Sequence, residues 1–223
     1  MKTQFSNQDF QHIQSEAEKQ SRVSVPENLT DIWFAAELLI SPELLERKKG
    51  FERLIELDAI KQNPIIIYLL ASNLSEPDFS LRAFIVRVLS GLLDDIKTSK
   101  SPQKDPRFIL TNYLSQISTE EVYSLLELAE VDPPSREYVV QLLCSCACAG
   151  DQLRKFVMDR ECAINMRLIA LEIIGKVGYL EVLPDLERLA KRLENRVNAE
   201  KKDMDLSEMM QRLNTTIKLL SSP

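Results

Sequence analysis

Apolar residues recur along the chain at spacings of three and four, and no segment alternates with period two for long enough to read as a strand. The pattern predicts helices near 29–40, 42–57, 63–74, 79–94, 105–117, 119–131, 134–149, 151–159, 163–177, 180–197 and 205–220. Their starts are punctuated. Ser41-Pro42, Asn63-Pro64 and Asp105-Pro106 each set an N-cap residue before a proline at the first helical position, where its missing N–H costs nothing. "STEE" from Ser118 and "DLSE" from Asp205 read as capping boxes, the residue three positions on reaching back to the cap amide. A polar arm, 1–28, precedes the helices, and "DDIKTSKSPQKD", 94–105, carries lysines without an apolar face and reads as a mobile loop.

The helical pattern repeats in register. Four segments begin with an arginine and place apolar residues seven and ten positions later, on one helical face: Arg47 with Leu54 and Leu57, Arg82 with Leu89 and Leu92, Arg136 with Leu143 and Cys146, Arg167 with Ile174 and Val177. The intervals between the arginines are 35, 54 and 31 residues. The middle one holds a repeat plus an insertion around 94–131.

"ECAINMRLIALEIIGKVGYLEVLPDLERLAKRL", Glu161 to Leu193, combines an acidic residue, Arg167, Ala170, glycines 175 and 178 around a turn, Leu183-Pro184 and a leucine ladder. It resembles the HEAT-repeat family. "EPDFSLRAFIVRVLSGLL", Glu76 to Leu93, repeats its first half with the same six-residue gap from Glu to Arg, whereas Arg136 follows a shortened "DPPS" turn and Arg47 lacks a glycine-containing exit. The resemblance implies an all-α, right-handed α-solenoid of about four HEAT-like antiparallel helix pairs over 29–197, with 198–223 as linker and capping helix. It implies a non-catalytic protein-binding scaffold or adaptor. The alternative is a HEAT-like enzyme such as a DNA glycosylase or a bilin lyase.

Composition narrows the classes. Five glycines and 6% aromatics argue against a sheet-rich enzyme, and 44% hydrophobic residues supply a core. A net charge of −6 and a pI near 5.1 disfavour general attraction to nucleic acid, so the expected partner is a protein, with a second copy of the chain as another possibility. No apolar run approaches the roughly 18 residues of a membrane span, and the start is too polar and acidic for a signal or transit peptide, which predicts a cytoplasmic protein. P-loop, GxGxxG and GxSxG motifs are all missing, and the single His12 sits in the arm. No catalytic, cofactor-binding or metal-ligating residue is assigned.

"QLLCSCACAGD", Gln141 to Asp151, gathers three of the four cysteines within five residues. On a continuous helix Cys144 and Cys148 lie on one side and Cys146 nearly opposite, so no single ion could bind all three. They read as small packing residues, Cys144 matching the register position of Gly175. Trp33 is expected in the core. "NPIIIYLLASNL", 63–74, is apolar nearly all round and reads as a helix buried on two sides, or else as a docking strip. Arg188, Arg192 and Arg196 recur at i, i+4, i+8 beside the buried stripe of Leu186, Leu189 and Leu193. Like charges at that spacing repel, so the three are the candidate contacts to an acidic partner, the alternative being a solvated face offset by Asp185, Glu187 and Glu194.

The loop generates a test. Limited proteolysis with trypsin should make its earliest internal cut near Lys97, Lys100 or Lys104 and leave the flanking helices whole. Initial cleavage between Arg136 and Gly150 would contradict the helix assignment there.

Overall fold

A computed structural model describes residues 29–94, 105–199 and 204–222. The arm with His12 and the 95–104 loop lie outside the described residues. The fold is all-helical, with twelve α-helices and no strand among the described residues. Two compact units divide the chain, one ending at Ala59 and one beginning at Ile60. The division falls inside the stretch that the repeat pattern joins.

The first unit pairs α1 (Leu29–Leu39) with α2 (Leu44–Glu56). Ile32, Ala35, Ala36 and Leu39 of α1 are buried with Phe51 and Leu54 of α2. The two backbones meet at Gly50: a Cβ there would lie 2.6 Å from the carbonyl oxygen of Ala35 and 2.7 Å from the amide nitrogen of Leu39. Only a residue without a side chain fits. Trp33 is 60% exposed, as is Phe34 beside it, which overturns the expected core position. The buried stripe of α1 falls on Ile32, Ala35 and Leu39, and Trp33 lies one position, about 100°, off it.

The second unit follows α3 (Ala59–Gln62) with α4 (Pro64–Ala71), α5 (Phe79–Asp94), α6 (Pro106–Leu114), α7 (Thr119–Val131), α8 (Arg136–Cys144), α9 (Ala149–Met158), α10 (Ile164–Val177), α11 (Leu183–Ala199) and α12 (Met204–Ser221). Asn63 and Asp105 cap α4 and α6 by accepting the amides of Ile65 and Arg107, both at 3.0 Å. Ser118 and Glu121 close the capping box of α7. Ser41 does not cap a helix: α2 begins three residues later, and the Ser41 hydroxyl accepts the Glu43 amide in the turn before it. Asp205 sits within the first turn of α12, not ahead of it.

The predicted helix 134–149 is broken. Pro133–Ser135 form a 3-10 turn, α8 ends at Cys144, and the chain turns through Ser145 to Cys148 before α9. Small residues there supply no large apolar stripe to hold another helical turn against a neighbour. The Leu143 and Cys146 carbonyls accept the amides of Cys146 and Ala149 in the turn and gain a second partner in Tyr179, whose hydroxyl donates to Leu143 O and lies 3.1 Å from Cys146 O. The Tyr179 ring packs over Gly150, where a Cβ would meet it at 3.0 Å.

Helices of the second unit contact partners near in sequence. Among the described residues the main packing joins each helix to those one, two or three along, α5 to α8 and α7 to α10 being the longest steps. α10 is the centre: Met166, Leu168, Ile169, Ala170, Leu171, Ile173 and Ile174 are all buried against α7, α8, α9 and α12. The Thr216 hydroxyl of α12 donates to Leu171 O at 3.0 Å. α4 buries Ile66, Ile67, Leu70 and Ala71 but exposes Ile65 and Tyr68, so it is not covered on two sides.

The recurring arginines tie each helix to the segment before it. Arg47 donates to Ser41 O and Pro42 O, Arg82 to Glu76 O, Arg136 to Ala129 O and Arg167 to Val157 O. The residue seven positions after each arginine, Leu54, Leu89, Leu143 or Ile174, is wholly buried. Arg82 is itself only 4% exposed and also reaches Ser124 O and the Glu127 carboxylate, at 2.8 and 3.2 Å. Arg82→Ala should therefore cost about 3 kcal/mol or more in urea unfolding, because two buried carbonyls and a half-buried carboxylate lose their donor. A cost below about 1 kcal/mol would show that the tie is incidental.

Candidate functional site

Between α9, α10, α11 and α12 lies a cleft of about 750 Å³. Five arginines line it: Arg154, Arg160, Arg167, Arg188 and Arg192. Arg188 and Arg192 are two of the three that the sequence singles out. Arg196 lies further along α11, and its side chain is outside the described residues. Arg154, Arg160 and Arg167 were missed, because they belong to α9, the α9–α10 turn and α10, and no single helical face holds them. Arg167 had a signal, its place in the repeated register.

The leucine stripe of α11 explains the placement. Leu186, Leu189 and Leu193 are buried, and 100° per residue then carries Arg188, its side chain 68% exposed, and Arg192 along the rim. Leu189 and Leu193 themselves form part of the cleft wall, with Ile164 and Met209. The lining is aliphatic and thioether below, cationic above.

Carboxylates form ion pairs on only one side. Asp185 holds Arg188 at 2.8 Å and Arg154 at 3.2 Å, fastening α11 to α9, and Asp151 adds a 3.4 Å contact to Arg154. Glu187 and Glu194 line a separate shallow hollow with Lys191 and so do not offset the rim. Arg167 is half-buried, its Nε held by Val157 O at 3.1 Å. Burial lowers its pKa first and the Arg160 charge lowers it further, while Cys162 and Asp159 oppose this. The guanidinium stays cationic, since its unperturbed pKa is above 12. Cys162, also in the cleft, has its thiol pKa raised by burial and then by Asp159, and is neutral at pH 7. Five arginines against Asp185, Asp205 and the adjoining Asp151 and Asp159 leave one positive charge in a chain whose net charge is −6.

The cysteine run is a second cluster, arranged otherwise than a continuous helix would place it. Cys144 ends α8 exposed, Cys146 is buried in the turn and Cys148 is partly buried at the start of α9. The turn brings the Sγ atoms of Cys146 and Cys148 to 3.4 Å, and Cys146 Sγ donates to Leu114 O at 2.8 Å. Among the described residues no group of three His, Cys, Asp or Glu side chains is placed to hold a metal ion. No described helix is long and apolar enough to cross a membrane. Compared with family models, curated proteins and solved structures, the chain gives no match.

Burial, followed by the Cys148 contact, pushes the Cys146 thiol up to about 12. The folded state thus favours the protonated form. Its contribution to stability is complete below the unfolded thiol pKa of about 8.5 and is lost as pH rises toward 12. Alkylation with iodoacetamide near pH 8, mapped by peptide mass spectrometry, should label Cys144 first and Cys146 only on unfolding. Equal labelling rates would show that the turn opens in the native state.

Proposed function

We propose that the chain is a protein-binding scaffold or adaptor: a HEAT-like α-solenoid of about four helix pairs, cytoplasmic, acting without catalysis, and receiving an acidic segment of a partner in the arginine cleft. The nearest-neighbour packing of the second unit supports the solenoid, because repeats of that kind touch only their neighbours. So does the arginine that recurs at helix starts with one bonding role. The observation that carries the function is the cleft itself, which concentrates positive charge above an apolar wall. Guanidinium groups grip carboxylates in a bidentate way that lysine cannot match, and the wall accommodates apolar neighbours of the acidic residue.

An enzyme on the same fold is the competing class. Cationic charge is the one observation in favour of an enzyme acting on nucleic acid. The cleft is lined by aliphatic residues and methionines with no ring among them, so an unstacked base would find no aromatic face.

The test is capture of partners from an extract of the native host with tagged wild-type chain and with the R188Q/R192Q/R196Q variant. Gln preserves helix propensity, and Asp185 keeps Arg154 when Arg188 is gone, so melting should be unchanged. The partner should bind the variant at least about tenfold more weakly at low salt, and wild-type binding should weaken as salt rises. Wild-type affinity in the variant would remove α11 as the interface. Salt-sensitive binding of duplex DNA would favour the enzyme class instead.

A further inference from the structure

The recurring arginines differ in one respect. Arg82 pairs with Glu127 at 3.2 Å and Arg136 with Glu172 at 3.5 Å, each a carboxylate on the helix two places further along the chain. The third member of that series in the second unit, Arg167, has only the backbone bond from Nε to Val157 O. Its terminal nitrogens have no protein partner among the described residues, and they belong to a side chain lining the cleft. Arg160 and Arg192 line the same cleft and likewise have no partner among the described residues. Three like charges are therefore gathered without a carboxylate in ion-pair contact, Asp159 acting on Arg167 only at longer range.

We infer that this cleft binds a phosphoryl group, presented by a phosphorylated side chain of the partner protein. The inference rests on the scaffold reading and names its ligand. A phosphate monoester carries about 1.5 to 2 negative charges at neutral pH and three acceptor oxygens, a match for three guanidinium groups whose terminal nitrogens face the cleft without an ion pair. A carboxylate carries one charge and two oxygens, and would leave one of the three guanidinium groups without an acceptor of its own. Ile164, Leu189 and Leu193 offer the residues flanking the phosphate an apolar seat, which a free anion would not use. A nucleotide fits less well, for want of a ring against which its base could stack.

The experiment uses the full chain and calorimetric or NMR titration at about 150 mM salt, where weak surface attraction is screened. The probes are a blocked Ala-Leu-phosphoSer-Leu-Ala peptide, its Ser and Glu counterparts, inorganic phosphate and a short DNA duplex. The phosphopeptide should bind at least about tenfold more tightly than any other probe. R160Q/R192Q, which removes two exposed arginines and no protein contact, should melt like wild type and lose at least that tenfold preference. Lys191→Gln, on the hollow at the other side of α11, should bind like wild type. Equal affinity for the Glu peptide would make this a carboxylate site, and equal affinity for inorganic phosphate would remove the peptide from the proposal. Preference for DNA, absence of binding at millimolar peptide, or phosphopeptide binding that survives R160Q/R192Q would each overturn it. Apart from a preference for DNA, which would also count against the scaffold reading, none of these results decides that reading, which the capture experiment tests separately.

Discussion

An arginine near the start of a helix, bonded back to a carbonyl of the segment just traversed, is the interaction on which the rest of this structure depends. A helix end leaves carbonyls without intrahelical partners, and a buried end without partners is costly. Arg136 bonds to Ala129 O in the last turn of α7, and Arg167 to Val157 O at the end of α9. Each of these bonds satisfies an acceptor near a helix end and fixes where the next helix starts. Once that start is fixed, the apolar residue seven positions on falls on the inner face, where Leu89, Leu143 and Ile174 are fully buried.

Carboxylates then extend the local tie across helices. Glu172 receives Arg136 and Lys176 and lies 4.0 Å from Arg212, so one acidic side chain on the central α10 joins cations from α8, α10 and α12. Such a shared carboxylate costs desolvation, which the surrounding cations offset only when several are present. α10 packs on four other helices, and it is where this arrangement is concentrated.

Much of this was legible as sequence because it is local. The caps at Asn63, Asp105 and Ser118 need only neighbouring residues, and the arginine register needs only a seven-residue spacing. The break after Cys144 was hidden, because the residue that makes it favourable, Tyr179, is more than thirty positions away. A helical wheel drawn through Cys144, Cys146 and Cys148 assumes the continuity that Tyr179 removes. Trp33 was misplaced for a related reason. An apolar stretch such as "IWFAAELLI" can be turned to several faces, and the close crossing at Gly50 decides which one is inward.

The cleft was half legible, and the missing half shows how charge becomes a site. Arg188 and Arg192 stand out on one helix, where repulsion between neighbours is worth a few tenths of a kcal/mol and solvation absorbs it. What changes their meaning is Arg167 and Arg160, brought to the same space from segments twenty to thirty residues away. Arg167 keeps the backbone bond that the fold requires of its position but not the carboxylate that Arg82 and Arg136 enjoy. A structural arginine could lose its counter-charge without harm on an open surface. Half-buried, it carries a desolvation cost in the free protein that the field of Asp159 offsets without an ion pair, and an anion in direct contact would relieve it, a source of affinity the exposed arginines could not supply by themselves.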